Sequence, residues 1–92
     1  MRLLLIEDET ALLDLIQRSL ARAGFTVDAA GSAEGGRDAM AASRYDAIVL
    51  DLGLPEEDGL AILKELRAKR DTTPVLILTA RDGINDRVAG LN

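Results

Sequence analysis

The segment AIVLD at residues 47–51 consists of four apolar residues that end abruptly in a carboxylate. Two other segments have the same form: LLLIED at residues 3–8 ends in two acids, and VLILT at residues 75–79 ends in a hydroxyl. Continuous apolar runs of this length between helical patterns indicate strands that are buried on both faces of a parallel sheet. Because parallel strands end at the same edge, these polar side chains should converge where such sheets bind their ligands.

Helical patterns separate these strands and predict the rest of the architecture. The predicted strands cover residues 2–6, 25–30, 46–50 and 75–78. The predicted helices run from Thr10 to about Ala23, from a Ser32 cap to about Ser43, from about Gly59 to Lys69, and onward from about Gly83. In the third helix, the spacing of Leu60, Leu63 and Leu66 predicts that they face the core. The βαβαβαβα order predicts one α/β domain over residues 1–92, a doubly wound parallel sheet with helices on both faces.

Composition limits the functions that the chain can have. The 92 residues carry a net charge of −5, which argues against nucleic acid binding by this segment, because a phosphate backbone calls for a basic face. The chain contains neither Cys nor His, so any metal must be held by oxygen, which favours Mg²⁺. No apolar stretch approaches the ~20 residues of a membrane span, and no signal peptide is recognisable, so we expect a cytoplasmic protein.

The predicted edge brings together Glu7, Asp8 and Asp51. Two like charges about 4 Å apart, at an effective dielectric of about 20, repel by roughly 4 kcal/mol, so three carboxylates need a proton or a cation. Mg²⁺ is the simpler answer, held by carboxylates, a backbone carbonyl after the third strand, and waters. A cation there would make Asp51 a usable nucleophile toward a phosphoryl group. Thr79 could donate a hydrogen bond to that group, and the small Ala80 would leave the pocket open.

Each of these residues also has an ordinary structural explanation. Glu7, Asp8 and Glu9 could simply favour the positive end of the first helix dipole. Asp51 could be a loop acid, and Thr79 could cap the last helix. Their joint placement at the ends of three inner strands favours a shared site.

Three motifs resemble the receiver domain of bacterial two-component response regulators. They are the acidic pair Glu7-Asp8, the segment DLGLP at residues 51–55 followed by Asp58-Gly59, and Leu78-Thr79-Ala80. The resemblance covers the chain from end to end. The segments LLLIEDE and DLGLP resemble in particular the OmpR/PhoB subfamily, whose receivers usually precede a winged-helix DNA-binding domain.

The resemblance implies a role for each site residue. Asp51 would be the phosphoacceptor, charged by a partner sensor histidine kinase, in a signalling switch that is not an enzyme. Thr79, with Ala80 beside it, would contact the phosphoryl group and report it to a DNA-binding output domain that regulates transcription. The family fold is flavodoxin-like (CheY-like), with the sheet order 2-1-3-4-5. The protein ligands of Mg²⁺ would be Glu7, Asp8, Asp51 and the backbone carbonyl of Gly53.

The chain departs from the family pattern at its C-terminal end. No position matches the fifth strand with its lysine, or the fifth helix, so we expect a truncated receiver with the sheet order 2-1-3-4. The fourth strand, Val75 to Leu78, would then be an exposed edge, which favours a homodimer or a swapped oligomer. The missing lysine leaves open a non-phosphorylatable receiver that acts as an interaction module. A Mg²⁺ phosphohydrolase is disfavoured, because Gly53 stands where such enzymes usually need a second acid.

Overall fold

The computed structural model describes residues 1–54 and 58–78. The strands are β1 (Arg2–Ile6), β2 (Thr26–Ala30), β3 (Ala47–Asp51) and β4 (Val75–Leu78), and the helices are α1 (Thr10–Arg22), α2 (Ala33–Ala42) and α3 (Gly59–Ala68). The predicted order of these elements is confirmed, with bounds that differ by no more than one residue. The predicted last helix, from about Gly83, lies outside the described residues. None of the three described helices has the length and apolar character needed to cross a membrane.

The four strands form one parallel sheet in the predicted order β2-β1-β3-β4. The register pairs Ile6 of β1 with Leu50 of β3, and Leu50 in turn with Ile77 of β4. Strands β1 and β3 are neighbours although β2 lies between them in sequence, so the order of the strands reverses between them. Their carboxyl ends lie side by side at this switch point, which is where doubly wound sheets bind ligands.

Strand β4 forms one edge of the sheet within residues 1–54 and 58–78. It pairs with β3 alone in this part of the chain, and its Leu76 side chain is 52% exposed. The predicted exposed edge of the fourth strand is therefore present among the described residues.

The hydrophobic core lies between the sheet and the helices α2 and α3. Leu4 and Ile6 of β1 and Ile48 and Leu50 of β3 lie in one buried cluster. Complete burial of an aliphatic side chain contributes about 1.5–3 kcal/mol, so this cluster anchors the two strands that carry the acids. The buried cluster is completed by Ala30, Ala33, Leu54, Ile62 and Leu66.

The prediction that Leu60 faces the core is wrong. Its side chain is 37% exposed, and the buried residues of α3 are Gly59, Ile62 and Leu66. These three positions follow the i, i+3, i+7 spacing of one helical face, which places Leu60 beside that face instead of on it. Leu63 is half-buried at its margin.

Two helix ends have the same backbone geometry but different residues. After α1, Gly24 has a φ of 101°, and the Phe25 N–H donates to the Leu20 carbonyl at 3.1 Å. After α3, Arg70 has a φ of 60°, and the Asp71 N–H donates to the Leu66 carbonyl at 2.9 Å. Both ends are Schellman motifs, for which glycine is the favoured residue because it has no Cβ. The predicted stop at Gly24 is confirmed, whereas Arg70 holds the same conformation with a side chain.

Candidate functional site

Three carboxylates meet where β1 and β3 end. Glu7 and Asp8 directly follow β1, and Asp51 is the last residue of β3. One carboxylate oxygen from each of the three residues lies within 4.8 Å of the others. Glu7 is only 3% exposed and Asp51 7%, whereas Asp8 is exposed. The structure therefore brings these predicted acids together at the carboxyl edge of the sheet, where two of them are buried and one faces solvent.

Backbone groups hold the two buried carboxylates in place. The Glu7 carboxylate accepts a hydrogen bond from the Glu9 N–H at 2.9 Å. The Asp51 carboxylate accepts one from the Gly53 N–H at 3.0 Å. The Glu7 N–H itself donates to the Ala30 carbonyl of β2 at 3.0 Å, which continues the β1–β2 pairing one residue beyond the strand. Both side chains are thus oriented by the turns that follow their own strands.

The electrostatics of the cluster show most clearly at Glu7. The pKa of the Glu7 carboxyl is raised from 4.5 to about 7, mainly by burial and in addition by the neighbouring charge of Asp51, against the lowering effect of the Glu9 N–H. Hydrogen bonds that the Glu7 carboxyl shares with Asp8 and Asp51 act in the same direction as burial. A proton on Glu7 therefore relieves the repulsion among the three acids when no cation is bound.

The donor set suits a small, hard divalent cation. Mg²⁺ binds oxygen ligands at about 2.0–2.1 Å in an octahedron, so opposite ligands are about 4.2 Å apart. Neighbouring ligands of such an octahedron are about 3 Å apart, so three oxygens that lie within 4.8 Å of one another can converge on one cation by rotation of their side chains. A cation between them would also replace the proton on Glu7. The residues therefore fit Mg²⁺ on both geometry and charge.

The helix-dipole explanation of the acids does not account for Glu7. The first turn of α1 contains no acidic residue, and its N-cap Glu9 makes no side-chain hydrogen bond to that turn. The Glu7 side chain is instead buried and faces Asp51.

The remaining predicted site residues fall into two groups. Gly53 is described, and its N–H is the donor to Asp51. Thr79 and Ala80 lie outside the described residues, so their predicted contact with a phosphoryl group stays a prediction.

Sequence reasoning gave no role to Gly59, the first residue of α3. A Cβ on this residue would lie 2.6 Å from the Asp51 carbonyl oxygen. The available signal was its position directly after Asp58, whose side chain caps α3 by accepting from the Leu60 N–H at 3.0 Å. Asp with Gly at a helix start is a common capping sequence, and it does not reveal what the glycine touches.

Comparison with known proteins agrees with this geometry. The sequence pattern of the family described as "Response regulator receiver domain" matches residues 3–92. The chain belongs to the response regulator receiver domain family. Members of this family are phosphoacceptor signalling modules and not enzymes, and the acidic cluster lies where such a module carries its site.

Curated relatives of this receiver include transcriptional regulators of the OmpR type. The chain is 48% identical over 91 residues to the transcriptional regulatory protein QseB of Escherichia coli O157:H7, covering 99% of this chain and 42% of that protein. It is 44% identical over 92 residues to the transcriptional regulatory protein BasR of Escherichia coli K12, covering 100% of this chain and 41% of that protein. The chain thus spans about two fifths of the length of these relatives.

Solved receiver structures share the fold. The response regulator TrrA of Thermotoga maritima, crystallised in complex with Mg²⁺ and BeF, is 26% identical with a TM-score of 0.84, over 98% of this receiver and 78% of that chain. A second structure contains TrrA in complex with the histidine kinase ThkA, and its matching chain is 29% identical with a TM-score of 0.79, over 86% of this receiver and 68% of that chain.

Proposed function

We propose that this receiver is the phosphoacceptor domain of a two-component transcriptional response regulator, with Asp51 as the residue that is phosphorylated. The observation that carries the proposal is the meeting of Glu7, Asp8 and Asp51 at the ends of β1 and β3. Asp51 belongs to the cluster that suits Mg²⁺, and the Gly53 N–H holds its carboxylate in place. The reaction would transfer a phosphoryl group from a sensor histidine kinase to the Asp51 carboxylate. The complex of TrrA with a histidine kinase supports this class of partner.

The chemistry needs positioning and charge neutralisation more than acid–base catalysis. A carboxylate oxygen of Asp51 forms a bond to phosphorus as the bond from phosphorus to the kinase imidazole nitrogen breaks. The electron pair of that bond stays with the imidazole, which is protonated as it leaves. Glu7, Asp8, Asp51 and the Gly53 carbonyl would hold Mg²⁺, which when bound would neutralise charge on the phosphoryl oxygens.

Phosphorylation would then bias a two-state equilibrium of the receiver. Thr79, with Ala80 beside it, would contact the phosphoryl group and report it to a DNA-binding output domain. The length of QseB and BasR beyond the matched region supports the presence of a further domain in proteins of this kind. In such a protein the receiver would act in the cytoplasm. Association of two copies along the edge strand β4 stays a prediction.

Phosphorylation by acetyl phosphate tests the proposal. The wild-type chain is incubated with acetyl phosphate and Mg²⁺, and intact-mass spectrometry is expected to show one added phosphoryl group that hydroxylamine removes, as for an acyl phosphate. Asp51→Asn should abolish the increment, and Asp38→Asn, at an exposed site on α2, should keep it. An increment that persists in Asp51→Asn would refute the site. No increment on the wild type would favour the alternative, a non-phosphorylatable interaction module.

A further inference from the structure

Gly59 is crowded against the backbone of the segment that carries Asp51. A Cβ on Gly59 would lie 2.6 Å from the Asp51 carbonyl oxygen and 3.0 Å from the Leu52 Cα. The φ of Gly59 lies outside the left-handed region that favours glycine. The lack of a side chain is therefore needed for space at this position and not for backbone conformation.

Hydrogen bonds connect this contact to the site. The Gly59 N–H donates to the Leu52 carbonyl at 3.2 Å. Gly53, which follows Leu52 in sequence, donates its N–H to the Asp51 carboxylate at 3.0 Å. The first turn of α3 thus rests on the same short segment that aims the Asp51 carboxylate and contains the carbonyl expected to bind Mg²⁺.

We propose that Gly59 is a positioning residue of the Mg²⁺ and phosphoacceptor site, whose missing side chain lets α3 hold residues 51–53 in the binding geometry. This inference rests on the proposed function. Alanine at this position would have to push the Asp51 carbonyl oxygen from 2.6 Å to the 3.4 Å of an ordinary contact. Backbone has to move to allow this, and Mg²⁺ tolerates little deviation from octahedral geometry.

A second crowded glycine shows why the position matters. A Cβ on Gly36 of α2 would lie 2.5 Å from the Ile6 Cδ1 atom. The Ile6 Cγ1 atom would lie at 3.0 Å, so a Cβ at Gly36 meets only a buried side chain, and relief would come from repacking of the core. A Cβ on Gly59 would instead meet backbone atoms of Asp51 and Leu52. Making room for it must therefore move the segment that carries the site.

The test compares Gly59→Ala with Gly24→Ala. Gly24 has a φ of 101° with open space around it, at the opposite end of the sheet from the acids, so alanine there strains the fold without touching the site. Mg²⁺ affinity is measured by amide chemical shifts in titrations of MgCl₂, at a temperature where each variant is fully folded. Gly59→Ala is expected to weaken Mg²⁺ binding at least about tenfold and to slow acetyl phosphate labelling at saturating Mg²⁺, because misplacement by about 1 Å costs up to about a hundredfold in rate. Gly24→Ala should lower the unfolding midpoint and leave the affinity within twofold of wild type.

If Gly59→Ala does not fold, a pair of capping variants tests whether the start of α3 positions the Mg²⁺ site. Asp58→Ala removes the cap that holds the first turn of α3, and Ser32→Ala removes the matching cap of α2, where the Ser32 hydroxyl accepts from the Gly35 N–H at 3.0 Å. Asp58→Ala is expected to weaken Mg²⁺ binding several-fold, and Ser32→Ala to leave it unchanged.

Three results would overturn the inference. The first is a folded Gly59→Ala with wild-type Mg²⁺ affinity, and the second is a Gly24→Ala that loses as much Mg²⁺ affinity as Gly59→Ala. The third applies if Gly59→Ala is unfolded: an Asp58→Ala that binds Mg²⁺ as tightly as wild type. Failure of the wild-type chain to bind Mg²⁺ or accept a phosphoryl group would instead refute the proposed function, so the two failures are distinguishable.

Discussion

Replacing Glu7 by Gln should stabilise the metal-free protein at neutral to alkaline pH. The pKa of the Glu7 carboxyl is raised to about 7 in the folded state, against 4.5 for an ordinary Glu. The folded protein therefore binds more protons than the unfolded chain between these pH values. Stability from this group is fully present below about pH 4.5 and is lost as the pH rises through about 7. Gln is neutral at every pH, and its amide can accept from the Glu9 N–H and donate to a neighbouring carboxylate.

The magnitude follows from the displacement of the pKa. At about 1.4 kcal/mol per pKa unit, a rise from 4.5 to about 7 corresponds to at most about 3.5 kcal/mol. The Gln amide does not reproduce every interaction of the protonated carboxyl, so we expect Glu7→Gln to raise the free energy of unfolding by about 1–3 kcal/mol at pH 8 and by close to zero at pH 4.5. For a domain of this size, each 1 kcal/mol shifts the melting temperature by about 4–8 °C.

Excess Mg²⁺ should offset this difference in stability between the wild type and Glu7→Gln. A ligand at 100 times its Kd stabilises the folded state by about 2.7 kcal/mol. The wild type should gain such an amount from excess Mg²⁺, and Glu7→Gln should gain much less, because it has lost one charged ligand.

Thermal unfolding by circular dichroism, with EDTA and with excess Mg²⁺, at pH 4.5 and pH 8, checks all of these expectations. Glu9→Gln is the matched control, because Glu9 is exposed and makes no side-chain hydrogen bond to the first turn of α1. The same pH dependence in metal-free wild type and Glu7→Gln would refute the raised pKa of Glu7 as the cause of the stability change. A Glu9→Gln variant that behaves like Glu7→Gln would assign the effect to net charge instead of to the buried carboxyl.

Three further predictions concern the scaffold. Arg70→Gly should raise the free energy of unfolding by about 0.5–1 kcal/mol in urea titrations, because glycine adopts the φ of 60° after α3 without strain; a destabilised variant would contradict this. Leu66→Ala should cost about 2–5 kcal/mol and Leu60→Ala less than about 1 kcal/mol, since only Leu66 is in the core; equal losses would contradict the assigned helical face. Tyr45→Phe should raise the pKa of Asp28 toward its ordinary value, because the Tyr45 hydroxyl donates to that carboxylate at 2.7 Å and is the largest cause of its lowered pKa. Carboxyl chemical shifts followed against pH measure this change, and an unmoved Asp28 titration would refute it.

The fold and the position of the site could be predicted because both depend on where the apolar runs lie. The runs at residues 3–6 and 47–50 carry no competing pattern, and each one ends in an acid. Parallel pairing then places Glu7 beside Asp51 whatever the details of the loops.

The error at Leu60 has a different origin. Leu60, Leu63 and Leu66 have helical spacing among themselves, but the core face of α3 is set by Gly59 and Ile62, and spacing alone cannot choose between the two faces.

The burial of Glu7 and the approach of Gly59 could not be predicted, because both arise from packing between separate elements of the fold. The sequence has acids at residues 7, 8 and 9, and only the folded chain separates the buried Glu7 from its exposed neighbours. In the same way, Gly59 looks like an ordinary residue beside a helix cap until α3 is placed against Asp51.

These two features make the site depend on different parts of the fold. Strand register places Glu7 and Asp51 close enough to repel each other, and that repulsion is answered by a proton or by a cation. The direction of the Asp51 carboxylate depends instead on the Gly53 N–H, and so on the segment against which α3 packs. Removing a charge from the cluster should therefore weaken Mg²⁺ binding and at the same time raise the stability of the metal-free protein. A change at the start of α3 should weaken metal binding without that gain in stability, because it moves the ligands and leaves their charges unchanged. The sign of the stability change in metal-free protein thus distinguishes an electrostatic effect on this site from a geometric one.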